Sequence, residues 1–179
     1  TCGKHFPGHG GTLVDSHQDL PVDDRTAESI RQRDLVPFAR AANLKADMIM
    51  TAHVLYPSLD PKHPATLSPT LIDGLLRETM GFDGVVISDD LDMGAVAKSH
   101  TPAESTFLAL QAGVDIPLIC NSPDKVFSAR QRIVDAVQSN ELPEARIRQS
   151  LDRIGRLKAS YASSMRLAAL SDVRAYFHV

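Results

Sequence analysis

The chain has 179 residues, 43% of them hydrophobic and 23% charged, with ten Gly, eleven Pro and a formal net charge of −3. This composition supports one folded domain and excludes a disordered or collagenous chain, while 19 basic against 22 acidic residues leave no block of positive charge for a nucleic-acid partner. Cys2 and Cys120 form neither a CxxC pair nor a zinc-type spacing, and no apolar run approaches the roughly 20 residues needed to span a bilayer, so a disulfide framework and a membrane partner are excluded.

In chain order, an opening strand is expected just before Lys4, followed by short apolar runs at 47–51, 84–88 and 114–119 that read as parallel strands buried on both faces. Between them, apolar residues recur at steps of three and four: Ile30, Leu35, Phe38 and Ala42, then Leu71, Ile72, Leu75, Leu76 and Met80, then Phe107, Leu108 and Leu110. These spacings predict helices. Ser68-Pro69, Thr101-Pro102 and Ser122-Pro123 each offer a capping residue before a proline suited to a first helical turn, and Gly81 offers a stop after Met80. A last helix is expected after Pro143 with Ile147, Leu151, Ile154 and Leu157 on one face. Residues 163–179 are weakly patterned, a short packing helix or a tail.

Four βα units at intervals of 30 to 45 residues fit a doubly wound sheet or a (β/α)8 barrel. A complete barrel takes about 250 residues, so four units amount to half of one. Polar residues gather after the strands: Lys4, His5, His9, Asp15 and His17 after the first, His53 after the second, Asp89, Asp90 and Asp92 after the third, Asn121 after the fourth. The carboxyl ends of parallel strands form the ligand face in either architecture. Asp15 and His17, two apart beyond Gly8-His9-Gly10-Gly11, can form a dyad in which the carboxylate orients the ring. The bland alternative is an Asx turn beside a solvated histidine. Asp89 and Asp90 close a buried strand, and alternation sends them to opposite sides.

The ordered segments Lys4-His5-Phe6-Pro7-Gly8-His9-Gly10, Asp15-Ser16-His17, Met50-Thr51-Ala52-His53-Val54 with Tyr56-Pro57, and Ser88-Asp89-Asp90-Leu91 with Met93 resemble glycoside hydrolase family 3, in particular its bacterial β-N-acetylglucosaminidase (NagZ) branch. The resemblance runs from residue 1 to about 160. It implies a (β/α)8 barrel of which residues 1–162 are the C-terminal half, with 163–179 as a C-terminal helix or tail. It also implies that Asp89 is a catalytic nucleophile, His17 the acid/base and Asp15 its orienter, and that Lys4 and His5 bind the sugar hydroxyls, with no metal or cofactor. The implied substrate is an N-acetylglucosamine-bearing muropeptide, processed in the cytoplasm during cell-wall recycling.

A full family member carries about four further βα units, including an Asp and an Arg that grip the terminal sugar. The missing N-terminal half is therefore an expected partner, and these 179 residues alone are expected to be inactive and prone to associate. Two other readings stand beside this one. His5, His9, His17, His53 and Asp89 could form the cluster of a metal-dependent hydrolase, or the chain could be a non-catalytic sugar-binding α/β module.

Overall fold

The computed structural model describes residues 1–162, in which four strands form one parallel sheet in the order β1-β2-β3-β4. The strands are β1 (Cys2–Phe6), β2 (Met48–Thr51), β3 (Val85–Asp90) and β4 (Ile116–Leu118). Helices follow each: α1 (Ala27–Arg33) and α2 (Val36–Asn43), then a π-helix (Thr70–Thr79), then α3 (Gly94–Ala97) and α4 (Pro102–Ala112), and last α5 (Pro123–Gln138) and α6 (Glu144–Ala162). Sequential parallel order with a helical return after every strand is the barrel-type arrangement, here four units long. Residues 163–179, with their expected helix or tail, lie outside the described residues.

The core is the seam between sheet and helices, where Phe6, Ile49, Val54, Ile72, Leu76 and Val86 are essentially inaccessible to water. Phe6 packs edge-on to Phe38 of α2 with ring centroids 5.3 Å apart. β4 contains Pro117, which has no N–H to give to a neighbour. That suits a strand at the end of the order, and β1 and β4 are the two edges among the described residues.

Several expectations are corrected. Ile30 lies on α1 and Phe38 and Ala42 on α2, with Leu35 between them as the residue before α2, because Pro37 cannot donate back into the preceding turn and instead stands in the first turn of α2. The segment from Thr70 to Thr79 winds as a π-helix, with Met80 N–H donating to the Leu75 carbonyl five residues back. Its apolar positions fall in steps of four and five as well as three and four, so the pattern did not separate the two windings. Of the expected apolar face of α6, Ile147, Ile154 and Leu157 are half-buried, Ile147 against the cluster of Phe107 and Leu142, while Leu151 is exposed. That helix is also fastened by charge: Arg146 and Arg153, with Arg77 of the π-helix, surround the fully buried Asp115 carboxylate, which also accepts from Ser150 Oγ at 2.7 Å and Val86 N–H at 2.9 Å. A buried carboxylate demands such compensation.

The capping signals hold better. Thr101 Oγ1 accepts from Glu104 N–H (3.3 Å), and Ser68 Oγ accepts from Leu71 N–H (3.1 Å). Ser122 precedes α5 without a side-chain cap bond.

Candidate active site

Lys4 and His5 lie within β1 rather than in the loop after it, because the strand stays paired through Phe6, whose carbonyl accepts from Ala52 N–H at 2.7 Å. The β1–β2 register shifts between Gly3 and Phe6, so the two side chains occupy an irregular stretch where a strand can re-aim its residues. Lys4 is exposed and makes no ion pair among the described residues. A cavity of about 420 Å³ is lined by Lys4, His5, His9 and Asp34.

Asp89 and Asp90 are the last two residues of β3, also inside the strand. Their hydrogen bonds differ in kind. Asp90 Oδ1 accepts from Asp92 N–H (3.1 Å) and from Cys120 N–H (3.2 Å), so this carboxylate ties the turn after β3 to the loop after β4. Asp89 Oδ1 takes only the N–H of Asp90 (2.9 Å), and Oδ2 lies 3.4 Å from His5 Nε2. Asp89 is about a quarter exposed and sits at the carboxyl end of β3. Burial pushes the His5 pKa down, and the Asp89 carboxylate partly restores it.

The loop beyond β1 carries the second pair. His17 Nδ1 donates to Asp15 Oδ1 at 2.9 Å, and His17 N–H donates to the same oxygen at 2.9 Å. A carboxylate can only accept, so Nδ1 carries a proton and Nε2 is left to exchange one with whatever enters. The Asp15 carboxyl is held below its ordinary range, first by the His17 backbone N–H and next by the ring. The bland Asx-turn reading is therefore half right, because the turn and the dyad share one oxygen. His17 is 76% exposed, and no hydrogen bond or ion pair among the described residues joins the Asp15–His17 pair to the His5–Asp89 pair.

The loop is mounted on a rigid base. Gly8 has φ +142°, and a Cβ there would lie 2.7 Å from Asp34 Cβ, so only glycine fits. Its carbonyl accepts from the buried Tyr56 hydroxyl. Beneath it Arg25 spans two carboxylates, with 2.6 Å to Asp23 and 2.9 Å to Asp34.

His53 is not in the open face where the sequence placed it but is 1% exposed. Its Nε2 donates to the Asp90 carbonyl (3.0 Å), and Nδ1 lies 2.8 Å from the Thr66 hydroxyl, itself 2.8 Å from the Thr51 hydroxyl. Burial pushes its pKa down, so the neutral ring braces the end of β3. Replacing His53 with Ala removes one of the partners of the Asp90 carbonyl, which keeps Met93 N–H, and one of those of the Thr66 hydroxyl, which keeps Thr51 and the Ala52 carbonyl, and should cost about 1–3 kcal/mol. Thermal unfolding checks this; an unchanged midpoint would show that the brace carries no load.

Among the described residues no group of three or more His, Cys, Asp or Glu side chains is placed to hold a metal ion, which removes the expected geometric basis of the metal-hydrolase reading. A cavity of about 680 Å³ lies at the opposite ends of β2 and β3, where Arg153 and Arg156 are already paired with Asp83. No described helix is long and apolar enough to cross a membrane.

Comparison with known proteins gives this geometry its context. The chain is 48% identical over 125 residues to a β-hexosaminidase of Chromobacterium violaceum, covering 70% of this chain and 35% of that protein. It is 37% identical over 187 residues to β-hexosaminidase A of Pseudoalteromonas piscicida, covering 94% and 31%. Its fold superposes on a glycoside hydrolase family 3 β-N-acetylglucosaminidase from Paenibacillus sp. with a TM-score of 0.90 at 40% identity, covering 94% of this chain and 32% of the other. For the β-N-acetylglucosaminidase of Thermotoga maritima the TM-score is 0.81 at 34% identity, with 88% and 34% covered. The chain thus spans about a third of the length of these relatives. Residues 1–157 match the profile of the glycosyl hydrolase family 3 N terminal domain, and the chain belongs to that family.

Proposed function

We propose that the protein is a retaining exo-β-N-acetylglucosaminidase that removes terminal β-linked N-acetylglucosamine from muropeptide fragments of peptidoglycan, in the cytoplasm, during cell-wall recycling. The observation that carries the chemistry is the contrast at the ligand end of the sheet: a carboxylate with an uncommitted oxygen, Asp89, and a histidine whose Nδ1 is fixed by Asp15. The names of the relatives support the sugar.

In the first step Asp89 attacks the anomeric carbon while His17, as imidazolium, gives its Nε2 proton to the departing oxygen. A glycosyl ester on Asp89 results. In the second step neutral His17 takes a proton from water, which attacks the same carbon and releases the sugar and the Asp89 carboxylate. Lys4 and His5 hold the sugar hydroxyls in this reading, and no cofactor takes part.

Turnover of a chromogenic β-N-acetylglucosaminide by the full-length protein tests the assignment. Hydrolysis faster than that of the matching β-glucoside is the expected result; a preference for the glucoside would refute the sugar assignment. Binding of N-acetylglucosamine without turnover would instead favour the sugar-binding module.

A further inference from the structure

We infer that α3, the short helix directly after the Asp89 strand, is the seat on which the His17 loop is held, and that Gly94 and Lys98 are positioning residues for His17; this rests on His17 being the acid/base. Between Gly8 and Leu20 only Ser16 is buried, and Leu13 is fully exposed, so the loop has little packing of its own to fix it. Its start is tied down at Gly8 by the Tyr56 hydroxyl; what holds its His17 end is polar and comes mainly from α3. Gly94 N–H donates to the His17 carbonyl and Ala95 N–H to the Ser16 carbonyl, both at 3.1 Å. The first amides of a helix have no partner within it, and here the loop supplies two. One turn on, Lys98 Nζ reaches Asp19 Oδ2 at 2.9 Å.

The residue at position 94 decides whether the loop can sit. A Cβ there would lie 2.5 Å from the Gln18 carbonyl oxygen, 2.7 Å from that of His17 and 2.8 Å from the Gln18 carbonyl carbon. All three are backbone atoms of the loop, which cannot swing aside as a side-chain tip does. The Lys98–Asp19 pair is exposed on both sides and adds little energy alone, but it sets the side to which the loop leans. Since α3 begins five residues after Asp89, the segment that carries the nucleophile also places the proton donor. A small displacement of His17 then acts on protonation and leaves nucleophilic attack alone.

The test uses the full-length enzyme and a series of aryl β-N-acetylglucosaminides whose leaving groups differ in acidity. For Gly94→Ala, kcat/KM on poor leaving groups should fall by at least an order of magnitude. On a dinitrophenyl substrate, whose leaving group departs without a proton, kcat/KM should stay close to wild type. Trapping of Asp89 by a 2-fluoro sugar should be complete, showing that the nucleophile side is intact. Lys98→Glu, an exposed change that leaves folding undisturbed, should show a weaker form of the same steepened dependence, reversed in the Asp19→Lys/Lys98→Glu double variant. Equal losses on every leaving group, or an unaltered dependence in both variants, would overturn the seat. His17→Ala in the same series separates the two claims. If it steepens the dependence and the Gly94 and Lys98 variants do not, the seat alone fails; if it does not, the acid/base reading fails and takes the seat with it.

Discussion

Asp89→Ala in the full-length protein should lower turnover by a factor on the order of 10⁴ or more and abolish covalent labelling by a 2-fluoro sugar. The choice between the two adjacent acids rests on what their oxygens already do. Asp90 accepts the amides of Asp92 and Cys120 and so fastens two loops. Its carboxylate cannot leave those donors to form an ester without opening the turn after β3. Asp89 gives one oxygen to the next amide in the chain and keeps the other beside His5, where attack costs no structural bond. Asp90→Asn, whose amide oxygen still accepts both N–H groups, should keep most of the activity. Mass spectrometry of the trapped enzyme decides the matter, and a label found on Asp90 would reverse the assignment.

The sequence was most informative where one physical rule dominates. Short apolar runs announced β2, β3 and β4, and Thr101-Pro102 announced the start of α4, because apolar runs and capping are local signals written in consecutive residues. β2 nevertheless alternates between buried and half-buried residues, and β4 is half-buried throughout rather than covered on both faces. It was less informative where winding or partners depend on the other side of a contact. The apolar positions from Leu71 to Met80 fit both an α- and a π-helix, and α6 is anchored by Asp115, 35 residues from Ser150, as well as by its half-buried apolar residues.

The site divides in the same way. Asp15 and His17 were legible because their bond spans two residues, whereas the contrast between Asp89 and Asp90 depends on an amide at Cys120. His53 was visible as a histidine near the site, but its brace requires Thr66 and the Asp90 carbonyl. Gly94 gave no signal at all, since its importance lies in a Cβ it lacks and in backbone atoms of Gln18 that only the fold brings near.

His17→Ala should separate substrates by leaving group. With a poor leaving group, departure needs the proton on Nε2, and loss of a positioned acid should lower kcat/KM by about 10²–10⁴. With a dinitrophenyl group the first step needs no proton, so that rate should change little, and the remaining defect should fall on the second step, where water must be deprotonated. The ester on Asp89 would then accumulate, and a burst of phenol before the steady state is the expected trace. Asp15→Asn should give a partial form of the same phenotype, because the amide can turn its NH2 toward Nδ1 and favour the wrong tautomer. The Asp15 carboxyl is held below its ordinary value by hydrogen bonds from His17, so it is ionised above about pH 4 and is lost as an acceptor only as the pH falls through that lower value. Loss of activity at neutral pH therefore cannot come from protonation of Asp15. Equal losses on activated and unactivated substrates in His17→Ala, with no burst, would show that His17 acts on binding and not on proton transfer.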